Sequence, residues 1–307
     1  MEDGSEVVIF YNAPLTRKPS PVGFWITQSL NSLALGGLLF ILSAGFSLIF
    51  GLMRIANLSH GAYFMLGAYI GLTLLRNGVN FWLAAIGAGI AIAVLGGLIE
   101  RFVLRRLAGR TLSQVLATLG IAFIIADACL WIWGGDPMPL SGPESLRGAV
   151  PVLGVKFPLY RLGVIGLAIA VAVGLWLVVD KTRIGAMIRA GVDDLEMARA
   201  VGIPVKTLFT TVFCLGAGLA GMGGVIAGPI LSVYPGLDAD MLPLALVVVI
   251  LGGVGSLPGA FVGSVVIGFI YTFGQALLPD LAYVILFLPM VIVLVARPRG
   301  LFGRVAA

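Results

Sequence analysis

Nine apolar runs, separated by short polar or glycine- and proline-bearing connections, organise the sequence. They cover residues 24–50, 57–75, 82–100, 112–133, 161–179, 207–230, 240–254, 259–278 and 281–296. Most are near the ~20 residues that a helix needs to cross hydrocarbon. The pattern therefore predicts an all-α polytopic membrane protein with about eight to nine transmembrane helices. The 240–254 run is short and ends in Gly252-Gly253-Val254-Gly255-Ser256-Leu257-Pro258-Gly259, which reads as a half-span or a broken helix. Residues 1–22 form a polar tail with Glu2, Asp3, Glu6, Arg17 and Lys18, and the run behind them is far longer than a signal core, so no cleavable leader is expected. A transmembrane domain over 23–300 and a C-terminal tail over 301–307 complete the division.

Composition excludes a soluble domain. Hydrophobic residues make up 60% of the chain and charged ones 11%, and the mean hydropathy is +1.10; a soluble surface needs about a quarter charged residues. The 43 glycines suit close helix packing in lipid. Cys129 and Cys214 fall inside apolar runs and read as small buried hydrophobes, without a disulfide or metal framework. The net charge of +5 is not a nucleic-acid signature, because the cations cluster between spans. Placing Arg101, Arg105, Arg106 and Arg110, the segment Lys181 to Lys206, and Arg297, Arg299 and Arg304 on the cytoplasmic side satisfies the positive-inside rule. Arg54 joins them by parity, while Arg17, Lys18, Arg76, Arg147, Lys156 and Arg161 fall outside. The C-terminus is then cytoplasmic and the N-terminus periplasmic. The outer loop 134–160, rich in Pro and Gly, reads as irregular.

Two polar stretches stand out. Between Gly51 and Tyr69 a kernel of Arg54, Asn57, Ser59 and His60 interrupts the apolar pattern, and His60 is the sole histidine. Such residues at membrane depth face protein or a water-filled cavity; an ordinary turn, with Asn57 or Ser59 capping the next helix, accounts for them equally well. Residues 57–60 are expected at membrane depth without being fully helical. In 180–206, Ile184, Met187, Ile188, Val192 and Leu195 recur at helical spacing. Asp193 with Glu196 follows capping-box logic, and Gly202 with Pro204 suits a helix end. Two short helices joined near 191–193 are expected, the second carrying Asp194, Glu196 and Arg199. They read either as a solvated loop or as a docking element.

Three motifs in order resemble one family, the LivH-type permeases of bacterial branched-chain amino acid ABC importers. They are Asn57-Leu58-Ser59-His60-Gly61-Ala62 with Leu66-Gly67-Ala68-Tyr69; Arg183-Ile184-Gly185-Ala186-Met187-Ile188-Arg189-Ala190 through Gly202-Ile203-Pro204; and Leu251-Gly252-Gly253-Val254-Gly255-Ser256-Leu257-Pro258-Gly259-Ala260. The closing Arg297-Pro298-Arg299-Gly300-Leu301-Phe302-Gly303 is similar too. The resemblance implies a fold like the type II ABC importer permeases and an inner-membrane subunit that is not itself an enzyme. Its implied partners are a LivM-type second permease, two cytoplasmic ATPase subunits and a periplasmic substrate-binding protein, with membrane lipid around it and no nucleic acid. ATP and Mg would sit on the ATPases, with no cofactor or metal in this chain. In agreement, none of Lys18, Lys156, Lys181 and Lys206 ends a phosphate-binding G-x-x-x-x-G-K-[ST] loop. Asp193, Asp194, Glu196, Arg199, Gly202 and Pro204 become the candidate ATPase-coupling residues.

Asn31, Gln114, Asp127 and Gln275 are polar residues within the spans, with Glu100 at an edge and Asp127 as the expected buried acid. No arginine sits deep in a run to clamp a carboxylate, so substrate is expected to bind weakly through hydroxyls, backbone and broken-helix ends. Candidate pathway residues are Asn57, Ser59, His60, Gly61, Tyr63, Asp127, Gly255, Ser256 and Gly259. No catalytic residue is expected: Ser59 and His60 are helix neighbours about 100° apart and cannot pair as nucleophile and base. An ion-driven secondary transporter is the competing class, and it would show paired buried acids. Urea, amides or other amino acids are alternative solutes.

Overall fold

In the computed structural model, which describes residues 21–297 and 300–302, all nine predicted runs are helices. In chain order these are α1 (Pro21–Met53), α2 (His60–Arg76), α3 (Phe81–Phe102) and α4 (Thr111–Trp133). A hairpin of β1 (Ala149–Val152) and β2 (Val155–Pro158) precedes α5 (Leu159–Lys181). The amphipathic α6 (Arg183–Asp193) and short α7 (Leu195–Ala200) lead to α8 (Val205–Leu231), α9 (Leu237–Gly252), α10 (Leu257–Leu277) and α11 (Ala282–Ala296). Among the described residues six helices are long and apolar enough to cross a membrane: α1, α3, α4, α5, α8 and α10. The other three runs give the shorter α2, α9 and α11, of 17, 16 and 15 residues. Expectations for Arg17, Lys18, Pro298, Arg299 and Arg304 lie outside the described residues.

The ends of the helices follow local chemistry. Asn80 Oδ1 accepts from Trp82 N at 2.9 Å at the start of α3, and Ser256 Oγ accepts from Gly259 N at 3.1 Å at the start of α10. The α9 helix stops at Gly253, whose φ of +101° suits a glycine. The 134–160 connection departs from its expected irregularity. Antiparallel β1 and β2 pair from Ala149↔Pro158 to Val152↔Val155, turning at Leu153-Gly154, both at positive φ. Met138 and Val233 form an isolated bridge that ties this connection to the α8–α9 turn. One end of the bundle therefore carries the hairpin. The other, the basic end, carries the α3–α4 and α5–α8 connections.

The hub is α8, which touches α1, α2 and α3. Lipid gives no hydrophobic drive to join helices, so close van der Waals contact must do it, and small residues permit that. A Cβ added to Gly67 would lie 2.3 Å from the Gly221 carbonyl oxygen, and one on Gly224 would lie 2.0 Å from that of Phe64. Gly45 and Gly216 make the equivalent approach between α1 and α8. Around these crossings Phe40, Phe46, Tyr63, Phe64, Tyr69 and Phe213 are almost fully buried. In contrast, α4 buries one row, Gln114, Thr118, Ala122, Ile125 and Cys129, against α2 and the 104–107 turn, while its opposite side, through Leu116, Phe123, Asp127 and Leu130, is exposed.

Candidate functional site

After α1 the chain does not simply turn at the basic end. Residues 54–59 are non-helical, Arg54 adopts φ +54°, and α2 begins only at His60. Two hydrogen bonds fix the depth of this segment. Leu58 N donates to Thr118 Oγ1 at 3.1 Å, seven residues into α4, and His60 Nε2 bonds Leu42 O at 3.0 Å, eleven residues before the end of α1. At 1.5 Å per residue these positions are about 10–16 Å inside the helix ends. Residues 57–59 thus lie well inside the helix ends of the bundle, with His60 already helical. Irregular backbone at such depth needs protein partners, and here it has them. Asn57 Oδ1 accepts from Ser59 N at 3.1 Å and Ser59 Oγ at 2.6 Å, while Phe46 stacks on the His60 ring at 5.1 Å.

Asn57, Ser59, His60 and Tyr63 are each 0–1% exposed, so the kernel is enclosed in this conformation. Several of its polar atoms lack a protein partner, among them His60 Nδ1, with Ser43 Oγ and Ser47 Oγ on α1, while the Tyr63 hydroxyl faces Ser59 and Asn57. Gly61 packs against the first turn of α9, where an added Cβ would meet the Asp238 carbonyl oxygen at 2.6 Å. The starts of α2 and α9 thus abut inside the bundle.

The other candidate pathway residues are elsewhere. Gly255 and Ser256 lie at the basic end, where Gly255 crosses Gly51 so tightly that a Cβ on Gly51 would fall 2.4 Å from Gly255 Cα. Gly259 packs on Gly252 in the α9–α10 corner. Beside this corner a cavity of about 350 Å³ is lined by Trp176, Asp180, Arg189, Val192, Gly255 and Ser256, among others. Its wall is α6: Gly191 abuts Leu52 and Leu208, and Val192 abuts Gly255. Arg189 bonds the Val179 carbonyl and sits 4.0 Å from Asp180. The structure therefore brings Gly255 and Ser256 together with α6, and leaves the Asn57–Tyr63 kernel apart from both.

The segment 180–206 holds two short helices, and the second has its cap shifted by one residue from the expected one. Asp194, not Asp193, caps α7, its Oδ1 accepting from Glu196 N and Met197 N at 2.9 Å each. Asp193 instead ends α6. At the far end Gly202 has φ +85°, and the pair Gly202 N→Arg199 O and Ile203 N→Ala198 O, both 3.0 Å, closes the helix before Pro204. Only Ala198 of α7 is buried. Glu196, Arg199, Met197 at 60% and Val201 at 68% face outward.

Two acids exchange their expected settings. Asp127 is exposed, on the uncovered side of α4; one apolar run does not reveal which side its neighbours cover. Glu100 is the buried one, at 1% exposure, with Oε2 accepting from Arg105 Nη2 at 2.9 Å and Thr210 Oγ1 at 2.6 Å. Arg105 also reaches Lys206 O at 3.0 Å, which clasps the end of α3 to the start of α8. Thr118 and Thr210 are each one hydroxyl among several in their helices and carry no mark in the sequence that sets them apart. Gln114 Nε2 donates to Leu104 O at 3.0 Å, Asn31 Oδ1 accepts from Arg161, and Gln275 is exposed. Among the described residues no His, Cys, Asp and Glu cluster suits a metal ion.

A family described as branched-chain amino acid transport system / permease component matches residues 28–294. The high-affinity branched-chain amino acid transport system permease protein BraD of Pseudomonas aeruginosa is 28% identical over 91% of this chain and 96% of its own length. LivH of Escherichia coli, a permease protein of the same description, is 24% identical over 92% of this chain and 96% of its own. Among solved structures, PsaBC from Streptococcus pneumoniae in complex with Fab aligns with a TM-score of 0.45 at 14% identity, over 87% of this chain and 89% of that one.

Proposed function

We propose that this chain, which belongs to the family of branched-chain amino acid transport system permease components, forms one side of an importer's path for branched-chain or other neutral amino acids. The partners in this reading are a LivM-type second permease, two cytoplasmic ATPases that hold ATP and Mg, and a periplasmic binding protein. The basic end then faces the cytoplasm of a bacterial cell, a reading that the excess of Lys and Arg there supports. The hairpin end faces the binding protein, with Arg76, Asn80, Glu144 and Arg147 around an open pocket of about 710 Å³.

The observation that carries the reading is the wedge of α6 against Leu52 and Gly255. An ATPase pushing on α7 moves α6, and α6 is packed against the crossing of α1 with the α9–α10 corner. Rigid elements with two arrangements pass such a shift on. Upstream of that crossing lies the Asn57–His60 kernel, where backbone at depth and unpartnered polar atoms give a place for the bundle to part and admit water. Pathway residues Asn57, Ser59, His60, Gly61 and Tyr63 are then reached by solute only in an opened form.

Two measurements test this. Vesicles holding the full complex should take up leucine with ATP, and vesicles holding this chain alone should not; accumulation against a gradient by the lone chain refutes the reading. The pair of permeases, freed of its binding protein, should bind substrate weakly, because no deep arginine clamps a carboxylate. Submicromolar affinity would contradict that.

The coupling surface makes a separate prediction. Met197→Glu places a charge on the exposed face of α7 while leaving Ala198 and the Asp194 cap in place. If the ATPase seats there, pull-down of ATPase by the tagged permease should weaken by about 2 kcal/mol, roughly thirtyfold in affinity. An unchanged yield of ATPase would move the contact elsewhere.

A further inference from the structure

We propose that the uncovered face of α4 around Asp127 is where the second, related permease seats, and that this partner brings a hydrogen-bond donor or a cation to the Asp127 carboxylate. The inference rests on the reading above that a second permease exists. Among the described residues of the six membrane-length helices, every other charged side chain lies within three residues of a helix end: Glu100 and Arg101 in α3, Arg161, Asp180 and Lys181 in α5, and Lys206 in α8. Asp127 is sixteen residues from Thr111 and six from Trp133, about 9 Å below the nearer end. It is exposed, and no group among the described residues bonds or pairs with it.

Lipid does not solvate a carboxylate at that depth. Intramembrane acids face a bundle interior, a cavity or a partner. The neighbouring α5 is a useful contrast: it is as bare as α4, but its uncovered side is Gly166, Ile169, Ala170, Val173, Gly174 and Leu177, which acyl chains satisfy. Around Asp127 the face continues through Leu116, Gly120, Phe123 and Leu130, at helical spacing. A Cβ on Gly120 would meet nothing within 4 Å, so a partner helix has room to approach there. Helix α3 likewise turns an apolar row, Ile86, Ile90 and Val94, outward, so among the bare sides of α3, α4 and α5 the acid marks α4 as the face that another protein covers.

The experiment uses the assembled complex in membranes. A benzophenone amino acid replaces Phe123 or, as control, Val173, both exposed. After illumination the Phe123 position should yield an adduct with the second permease, identified by mass spectrometry, and the Val173 position should not. In parallel, Asp127→Leu should reduce the second permease recovered with this chain by roughly five- to thirtyfold, the scale of one interhelical hydrogen bond lost in lipid. Asp127→Asn, which still accepts a hydrogen bond, should recover most of it. The melting temperature of the lone Asp127→Leu chain in detergent should match the parent, which separates lost pairing from lost folding. Adducts at Phe123 with lipid alone, with an ATPase or with a second copy of this chain overturn the proposal, as does undiminished recovery with Asp127→Leu. If the parent chain retains no related permease at all, the functional reading itself has failed and the proposal falls with it.

Discussion

Gly224→Leu is expected to remove folded protein from the membrane, with Gly67→Leu close behind. An added Cβ on Gly224 would fall 2.0 Å from the Phe64 carbonyl oxygen and 2.9 Å from Ala68 N. Both obstacles are backbone of α2, which cannot swing aside as a long side chain can. Overpacking a core usually costs about 1–3 kcal/mol; here two helix backbones must separate along their crossing, so the cost should exceed that range. The crossing also sets the position of α2 and hence of the His60 kernel at its start. The contrast is Gly174→Ala, on the bare face of α5, where a Cβ meets nothing within 4 Å. That change should be neutral or stabilise by about 0.5–1 kcal/mol, since alanine is the better helix former. Fluorescence size-exclusion after detergent extraction reads both. A monodisperse peak of parental height for Gly224→Leu would mean that α2 and α8 do not cross as described.

The second large effect belongs to the clasp at the basic end. Glu100→Ala leaves the Arg105 guanidinium and Thr210 hydroxyl facing an emptied, buried site. Breaking a buried pair by removing one partner costs about 3–5 kcal/mol, and with Arg105 30% exposed the lower end of that range applies. Thr210→Val should cost less, about 1 kcal/mol, because the ion pair survives. Arg105→Lys should not rescue, since an ammonium cannot serve Glu100, Lys206 O and Thr210 from one fork. Thermal unfolding of the purified chain ranks the three. Equal melting temperatures for Glu100→Ala and the parent would show that the pair holds nothing together.

Much of the fold was open to reading in the linear pattern, because lipid imposes a strong rule: each apolar run of sufficient length becomes a helix. The ends were legible where single residues do the stopping, as at Gly202-Ile203-Pro204. They slipped where two candidates adjoin: Asp193 and Asp194 are both able caps, and only the bend of the chain between α6 and α7 selects the second. The β hairpin was hidden because each strand holds a proline, and its turn uses Leu153 at a positive φ where Asn or Gly is usual. The candidate site was half legible. Asn57, Ser59 and His60 announce themselves as a polar island, but Leu42 O and Thr118, which hold them, are a carbonyl and a hydroxyl on distant helices. Asp127 and Glu100 show the remaining gap. Position along a span tells how deep an acid lies, not whether a neighbouring helix stands over it.

Helix α1 has 33 residues and its neighbours α2 and α9 have 17 and 16, lengths of about 50, 26 and 24 Å against ~30 Å of hydrocarbon. From Gly36 to Leu52 almost all of α1 is sheathed by other helices, so its excess length meets protein and not acyl chains. The centre of the molecule is in effect insulated from the thickness of its bilayer. A thicker or thinner membrane acts on the rim, through the bare sides of α3, α4 and α5, and changing lipid chain length should disturb how this subunit is gripped by its surroundings long before it disturbs the hub.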